Sequence, residues 1–194
     1  MPHHDAARWN ERYQQERFCT LVDARPLLVE NAVLLPQQGL AFEAAMGLAG
    51  NAGFLLERGL RVIGVDISEV AVRQAKVRMP ALFAAVADLN RFYLPPATFD
   101  VILNFYYLQR ELWPVYKFAL RPGGLLFIET LTLDMLQIHP ETGLEYLLQP
   151  GELFDSFADM QILVYREGWQ TGKNGHQRAV ASLVARLVDK NAGT

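Results

Sequence analysis

The chain has 194 residues, of which 51% are hydrophobic and 20% are charged, and its formal net charge is −3. Such a composition is too apolar for an intrinsically disordered chain, and the mildly acidic balance gives no electrostatic reason to bind nucleic acid or anionic lipid. No apolar run reaches the roughly 18–20 residues of a membrane span. We therefore expect one globular domain with neither nucleic-acid nor membrane partners.

The cysteine and histidine content bears on location and metal binding. Cys19 is the only cysteine, and one cysteine cannot form an internal disulfide, which favours a reducing compartment. The start of the chain lacks the basic and apolar regions of a signal peptide. Apart from the adjacent His3 and His4, no histidine or cysteine has metal-ligand spacing. We expect a cytoplasmic protein without a metal, and leave its oligomeric state open.

Residues 1–39 form an amino-terminal segment that we predict to be two helices, acting as an arm or lid. Trp9 and Tyr13 are four residues apart and therefore lie on one face of the first helix. That face either docks into the core or closes over a ligand site, and the spacing does not choose between the two.

From residue 40 onward, short apolar strands alternate with helical segments. Strands are predicted at 40–46, 61–66, 82–86, 99–104 and 124–130, which favours βαβ units and a parallel sheet. Two β-branched runs, 161–167 and 178–188, predict an antiparallel hairpin at its edge. The expected fold class is α/β, a doubly wound and mostly parallel sheet with this carboxyl-terminal hairpin, in which residues 40–194 form the main part of one domain.

Small or polar residues follow the predicted strands, where ligands bind in open α/β sheets. The first turn, from Glu43 to Gly53, is rich in alanine and glycine, which let the backbone approach a ligand closely. Asp66 follows the second strand, Asp88 the third and Asn104 the fourth. The turn lacks the G-x-G-x-x-G spacing of a dinucleotide enzyme, which argues against a nicotinamide dehydrogenase.

Several segments together resemble the class I S-adenosylmethionine-dependent methyltransferases, in particular a small bacterial tellurite-resistance-type branch. The family's first motif is an acidic residue followed by alternating glycines, and this chain departs from it by having alanine at two positions. The segments that carry the resemblance are Glu43-x-Ala45-x-Gly47-x-Ala49, Val65-Asp66-Ile67-Ser68, Leu120-Arg121-Pro122-Gly123-Gly124 and 147–153.

The resemblance implies a role for each matching position. The turn at Glu43, Ala45, Gly47 and Ala49 would hold the amino and carboxylate groups of the methionyl part of S-adenosylmethionine. The ribose, the adenine and the floor between cofactor and acceptor would be contacted by Asp66, Ile67, Asp88, Leu89, Asn104 and Phe105.

Five further residues are candidates for lid or substrate contacts, and each has a structural alternative. Trp9 and Tyr13 either cover the site or belong to the core. Tyr106 either lines the acceptor site or fills the core. Arg110 binds either an anionic substrate or an acid on the next turn. His139 lies in a predicted lid segment, where a solvated side chain is the alternative to a general base.

The resemblance implies methyl transfer from S-adenosylmethionine to a small acceptor such as a thiol or a chalcogen oxyanion. Because the sulfonium already activates the methyl group, such a site needs no catalytic dyad. A first alternative is methylation of an amino group on a base or protein, since Asn104-Phe105-Tyr106-Tyr107 keeps the ends of an Asn-Pro-Pro-Tyr motif. A second is a degenerate cofactor-binding or scaffold domain, suggested by Ala45 and Ala49.

Overall fold

The computed structural model describes residues 2–15, 23–172 and 175–188, so Cys19 lies outside the described residues. The described strands form one seven-stranded sheet in the order β3-β2-β1-β4-β5-β7-β6. They are β1 (Gly39–Ala44), β2 (Leu60–Asp66), β3 (Phe83–Val86), β4 (Phe99–Phe105), β5 (Leu120–Leu131), β6 (Gln161–Thr171) and β7 (Gln177–Arg186). The helices are α1 (Pro2–Gln14), α2 (Pro26–Glu30), α3 (Gly50–Leu56), α4 (Glu69–Arg78), α5 (Leu112–Ala119) and α6 (Glu152–Ser156).

The sheet has the predicted fold class. Strands β1 to β5 pair in parallel, whereas β7 pairs antiparallel with both β5 and β6. The strand order reverses at β1, which lies between β2 and β4. Parallel strands all run in the same direction, so their last residues lie together at the carboxyl end of the sheet. These residues are Ala44, Asp66, Val86 and Phe105, and a ligand site is expected beside them.

The hairpin is longer than predicted. Residues 168–171, which lie beyond the predicted strand 161–167, belong to β6 and pair with residues 177–180 of β7. Strand β7 is flanked by β5 and β6 and presents backbone groups along this whole length. Pairing satisfies those groups better than an open loop would, so only the tip of the hairpin is a turn.

Helices cover both faces of the sheet, as a doubly wound fold requires. On one face, Trp113 and Tyr116 of α5 and Leu153 of α6 pack with Phe42 and Ile102. The other face is covered by α2, α3 and α4, and its buried residues include Leu28, Leu55, Val62, Val72, Val101 and Phe127.

Helix α1 docks against the start of α4. Asn10 Oδ1 accepts hydrogen bonds from the Ser68 hydroxyl (2.7 Å) and from the Val70 backbone N–H (3.2 Å). The Gln74 side-chain amide donates to the Tyr13 carbonyl (3.2 Å). Since α4 begins just after the end of β2, these bonds bring α1 to the edge where the parallel strands end. Within the described part of the chain, no helix is both long enough and apolar enough to cross a membrane.

Candidate functional site

The Glu43 carboxylate is buried near the end of β1, with 2% of the residue exposed. Its Oε1 accepts a hydrogen bond from the Asn51 side-chain amide at 2.8 Å, whereas Oε2 has no hydrogen-bond partner among the described residues. Burial raises the pKa of Glu43 to about 7, although hydrogen bonding from the Asn51 side chain and the Ala52 backbone opposes the shift. A buried acceptor without a donor is the feature expected where a ligand completes the bonding.

Asp66, at the end of β2, is 5% exposed and holds two backbone N–H groups. Its Oδ2 accepts from Gly47 and its Oδ1 from Ser68, each at 2.8 Å. Burial raises the pKa of Asp66, and these two bonds oppose the shift. The carboxylate therefore ties the turn after β1 to the start of α4.

The turn after β1 is left-handed at three alternating positions. The φ angles are 49° at Ala45, 52° at Gly47 and 58° at Ala49. Glycine adopts this conformation freely, whereas alanine is strained by on the order of 1 kcal/mol. The alanines therefore occupy positions whose backbone suits glycine, which the sequence alone left open.

Tyr13 lies over this turn. A Cβ atom on Gly47 would stand 2.7 Å from the Tyr13 phenolic oxygen. Burial raises the pKa of Tyr13, and the nearby Asp66 charge adds to the shift. Trp9 stacks on Tyr13 with ring centroids 5.7 Å apart. Tyr13 therefore brings the amino-terminal arm close enough to Asp66 and Glu43 for their charges to act on its phenol.

The predicted adenine side of the site is also assembled at this edge. Asp66 pairs with Val86 in the sheet, and the Ala87 N–H donates to the Asp66 carbonyl at 3.0 Å. Asp88 is half-buried and accepts from the backbone and side chain of Asn90, at 3.0 and 2.8 Å. The neighbouring Leu89 is buried, and Ile67 is half-buried after Asp66.

Asn104 and Phe105 end β4 on opposite faces of the sheet. The Asn104 amide is fully buried and donates to the Tyr116 hydroxyl at 3.0 Å, while its Oδ1 has no partner among the described residues. Phe105 packs with Phe127 on the other face. Asn104 is thus turned toward α5, and its proposed place at the floor of the site stays a prediction.

Tyr106 follows β4 with a φ of 58°, which strains a non-glycine residue. Its N–H donates to the Glu129 carbonyl at 2.7 Å. Burial and the Glu129 carboxylate raise the pKa of the Tyr106 phenol to about 12, opposed by Arg25 and Arg178. The guanidinium carbons of those arginines lie 4.6 and 5.7 Å from the ring centroid.

Several of these residues were missed by the sequence analysis, namely Asn10, Arg25, Asn51, Glu129, Arg178 and Ser182. Their contacts join elements far apart in the chain, so no local pattern marks them. Glu129 alone had a visible signal, because it is a carboxylate within the apolar strand β5. It is 4% exposed, and its Oε2 accepts from the Ser182 hydroxyl at 2.6 Å.

Arg110 and His139 lie outside this group. Arg110 forms a two-pronged ion pair with Glu152, one contact at 2.9 Å, and donates to the Leu147 carbonyl at 3.0 Å. The acid that pairs with Arg110 thus comes from α6, 42 residues along the chain, and not from the next turn as the sequence suggested. His139 is exposed beside Glu141, with 3.2 Å between Nδ1 and Oε1. The described residues contain no group of three or more histidines, cysteines or acids able to hold a metal.

Comparison with known proteins shows similarity in sequence and in fold. Residues 41–124 match the family model described as "Methyltransferase domain". Over 94 residues, the chain is 32% identical to a probable S-adenosylmethionine-dependent methyltransferase from Mycolicibacterium smegmatis. That match covers 45% of this chain and 36% of the relative, so the shared region spans about a third of the length of that protein.

Two solved structures share the fold at low identity. TehB from Haemophilus influenzae superposes with a TM-score of 0.70 at 17% identity, over 94% of this chain and 66% of that one. A geranyl diphosphate C-methyltransferase from Streptomyces coelicolor, solved with S-adenosyl-L-homocysteine, gives 0.67 at 12% identity, over 96% and 97%. The predicted class I methyltransferase fold is confirmed by these similarities.

Proposed function

We propose that this chain transfers a methyl group from S-adenosylmethionine to a small-molecule acceptor. The observation that carries the proposal is the buried pair Glu43 and Asp66, which flanks a left-handed turn and leaves Glu43 Oε2 without a donor. The match of residues 41–124 to a methyltransferase domain supports it, because both carboxylates lie in that segment.

The residues present fit the cofactor. Glu43 Oε2 is a ready acceptor for the ammonium group of the methionyl part, since a charged donor suits a buried carboxylate. Asp66 would accept from the ribose hydroxyls, with Ile67 against the adenine and Asp88 near its amino group. Gly47 leaves the turn without a side chain where the backbone must approach the ligand.

Once bound, the cofactor supplies a methyl group already activated on sulfur. The chain then has to orient the acceptor and exclude water, which are tasks of positioning. We infer that residues 1–39 form the lid, because Tyr13 of α1 already reaches over Gly47. A soft nucleophile such as a thiol or a chalcogen oxyanion requires no strong base, consistent with a site in which Tyr106 stays a neutral phenol.

The branch of the methyltransferases to which the chain belongs, and its location in the cell, are also part of this proposal. Similarity to TehB, in fold alone, supports a relationship with the tellurite-resistance-type branch. A cytoplasmic location likewise stays a prediction from composition.

Calorimetry with S-adenosylhomocysteine tests the cofactor site, with NAD as the negative ligand. We expect saturable binding of the first and none of the second. Asp66→Asn should weaken binding by about 10- to 100-fold through loss of charge-assisted bonds. Asp100→Asn is the matched control, because Asp100 also accepts from a backbone N–H (Leu40, 2.7 Å) but at the opposite edge of the sheet. Equal affinity of Asp66→Asn and the wild type would refute the assignment.

The degenerate binding domain remains the second candidate, favoured by the strained Ala45 and Ala49. Consumption of S-adenosylmethionine against a panel of thiols, tellurite, selenite and small amines separates the two. Binding without consumption across the panel would favour a scaffold or sensor over an enzyme, and methylated amines would favour the amino-methyltransferase alternative.

A further inference from the structure

Two arginines from distant parts of the chain meet at Tyr106, beside the proposed cofactor site. Arg25 precedes α2, and Arg178 lies on β7. Their guanidinium carbons are 4.6 and 5.7 Å from the Tyr106 ring centroid, which places the two groups within about 10 Å of each other. Both residues are half-buried.

Neither arginine forms an ion pair in the described part of the chain, although the charge of Arg25 acts on the buried Glu43 carboxylate and lowers its pKa. No described carboxylate oxygen lies within 4.0 Å of either guanidinium, and neither side chain donates a hydrogen bond there. The nearby Glu129 accepts from Ser182 instead. A guanidinium carries five N–H donors in one plane, where they suit a planar or tetrahedral oxyanion.

The three residues are held in place by independent anchors. The Arg25 backbone N–H donates to Asn51 Oδ1 at 2.8 Å, and the same Asn51 side chain donates to Glu43. Arg178 is fixed by its pairing with Gln170 in the hairpin. Tyr106 is held in its strained conformation by the bond to the Glu129 carbonyl. A strained backbone conformation persists only where surrounding contacts hold it in place, and such residues cluster at ligand sites.

We propose that the methyl acceptor carries an oxyanion group, a carboxylate or a phosphate, which is bound by Arg25 and Arg178 beside Tyr106. The inference rests on the proposed function only in calling this ligand the acceptor. Because Asn51 connects Arg25 to Glu43, the anion lies next to the turn proposed for the methionyl part.

Calorimetry tests the anion site with three probes: inorganic phosphate, mercaptoacetate and the uncharged 2-mercaptoethanol. Each titration is made with and without S-adenosylhomocysteine, so an absent cofactor site is distinguished from an absent anion site. We expect saturable binding of mercaptoacetate or phosphate and none of 2-mercaptoethanol, and the stronger anion identifies the group. Arg25→Gln and Arg178→Gln should each weaken anion binding by about tenfold or more, and Arg178→Gln should leave S-adenosylhomocysteine affinity unchanged.

Arg166→Gln is the matched control, because Arg166 lies on the adjoining strand β6 but is already paired with Glu30 at 2.8 Å. It removes the same charge and should leave anion affinity within about threefold of the wild type. The proposal is overturned if neither anion binds, if Arg166→Gln weakens anion binding as much as the other two variants, or if Arg178→Gln weakens S-adenosylhomocysteine binding tenfold. The last result would assign Arg178 to the cofactor.

Discussion

The phenolic oxygen of Tyr13 lies 2.7 Å from the position that a Cβ atom on Gly47 would occupy. Gly47 has a φ of 52° and donates its N–H to Asp66. The amino-terminal arm therefore touches the turn at a position where both the backbone conformation and the available space require glycine.

Gly47→Ala should both strain the backbone and push the arm away. The φ angle alone costs on the order of 1 kcal/mol of unfolding free energy. Tyr13 presents the far end of a side chain, so we expect the arm to move rather than the sheet. Limited proteolysis should then cleave α1 faster than in the wild type, and denaturant titration should show the loss of stability.

Gly123→Ala is the matched control for this variant. Gly123 has a φ of 80°, but a Cβ atom there would meet nothing within 4 Å. The control should lose similar unfolding free energy while its arm stays docked. Adding Tyr13→Phe to Gly47→Ala removes the obstructing oxygen and should restore part of the protection. Equal proteolysis of the two alanine variants would show that Tyr13 does not rest on the turn.

Burial of Glu43 should make stability depend on pH. Its folded pKa of about 7 exceeds the ordinary value of 4.5, so the protonated form favours folding. This contribution is fully present below pH 4.5 and is lost as the pH rises through 7, by up to about 3 kcal/mol. Denaturant titrations from pH 4.5 to 8 should show this loss in the wild type and a flatter profile in Glu43→Gln.

Cofactor binding should have the opposite dependence on pH. A ligand ammonium group pairs with ionised Glu43, so affinity for S-adenosylhomocysteine should rise as the pH passes through 7. Glu43→Gln should bind about tenfold more weakly and lose that rise, whereas Glu129→Gln, at another buried carboxylate, should keep it. Titration of the ligand itself is common to all three proteins. Parallel profiles for Glu43→Gln and the wild type would contradict the role of Glu43.

Restoring glycine in the turn measures what the two alanines do. Ala45→Gly and Ala49→Gly relieve left-handed strain, but glycine also loses more chain entropy on folding, so each should change stability by less than about 1 kcal/mol. If the native turn binds well, S-adenosylhomocysteine affinity should change by less than about tenfold, or 1.4 kcal/mol. A larger gain in the double variant would favour the degenerate binding domain.

Ala97→Gly controls for the strain itself. Ala97 has a φ of 44° in an exposed turn before β4, at the opposite edge of the sheet. The unfolding free energy of Ala97→Gly should change about as much as that of Ala45→Gly and Ala49→Gly, whereas its affinity for S-adenosylhomocysteine should not change. Calorimetry and denaturant titration on the same protein preparations separate the two effects.

The lid is tested by cutting the link between α1 and α4. Asn10→Ala removes the acceptor for the Ser68 hydroxyl and the Val70 N–H, so the arm should open more often. We expect S-adenosylhomocysteine to dissociate several-fold faster, with a smaller loss of unfolding free energy. Glu11→Ala, at the exposed next residue, is the control. Identical dissociation rates for Asn10→Ala and the wild type would show that α1 is no lid.

The sequence by itself determined the fold class and the positions of the carboxylates at the strand ends. The residue patterns of strands and helices are local in the chain, and so are the capping residues and glycines at the ends of these elements. Ser68 caps α4 by accepting from the Ala71 N–H, and Gly59 takes a φ of 87° after α3. Asp66 and Asp88 follow β2 and β3 because each strand ends where the apolar run ends. Chain order and alternation then predict the parallel sheet.

Tertiary structure decided which distant groups meet and which backbone conformation the turn adopts. The left-handed φ at Ala45 and Ala49 opposes local preference, so it arises only because β1, β2 and α3 fix both ends of the turn. Arg178 comes to Tyr106 because β7 lies beside β5, and Arg25 because its backbone N–H is held by Asn51, rather than through any spacing in the chain. Pairing of such residues depends on strand order and on which face each residue occupies, and these are properties of the whole sheet.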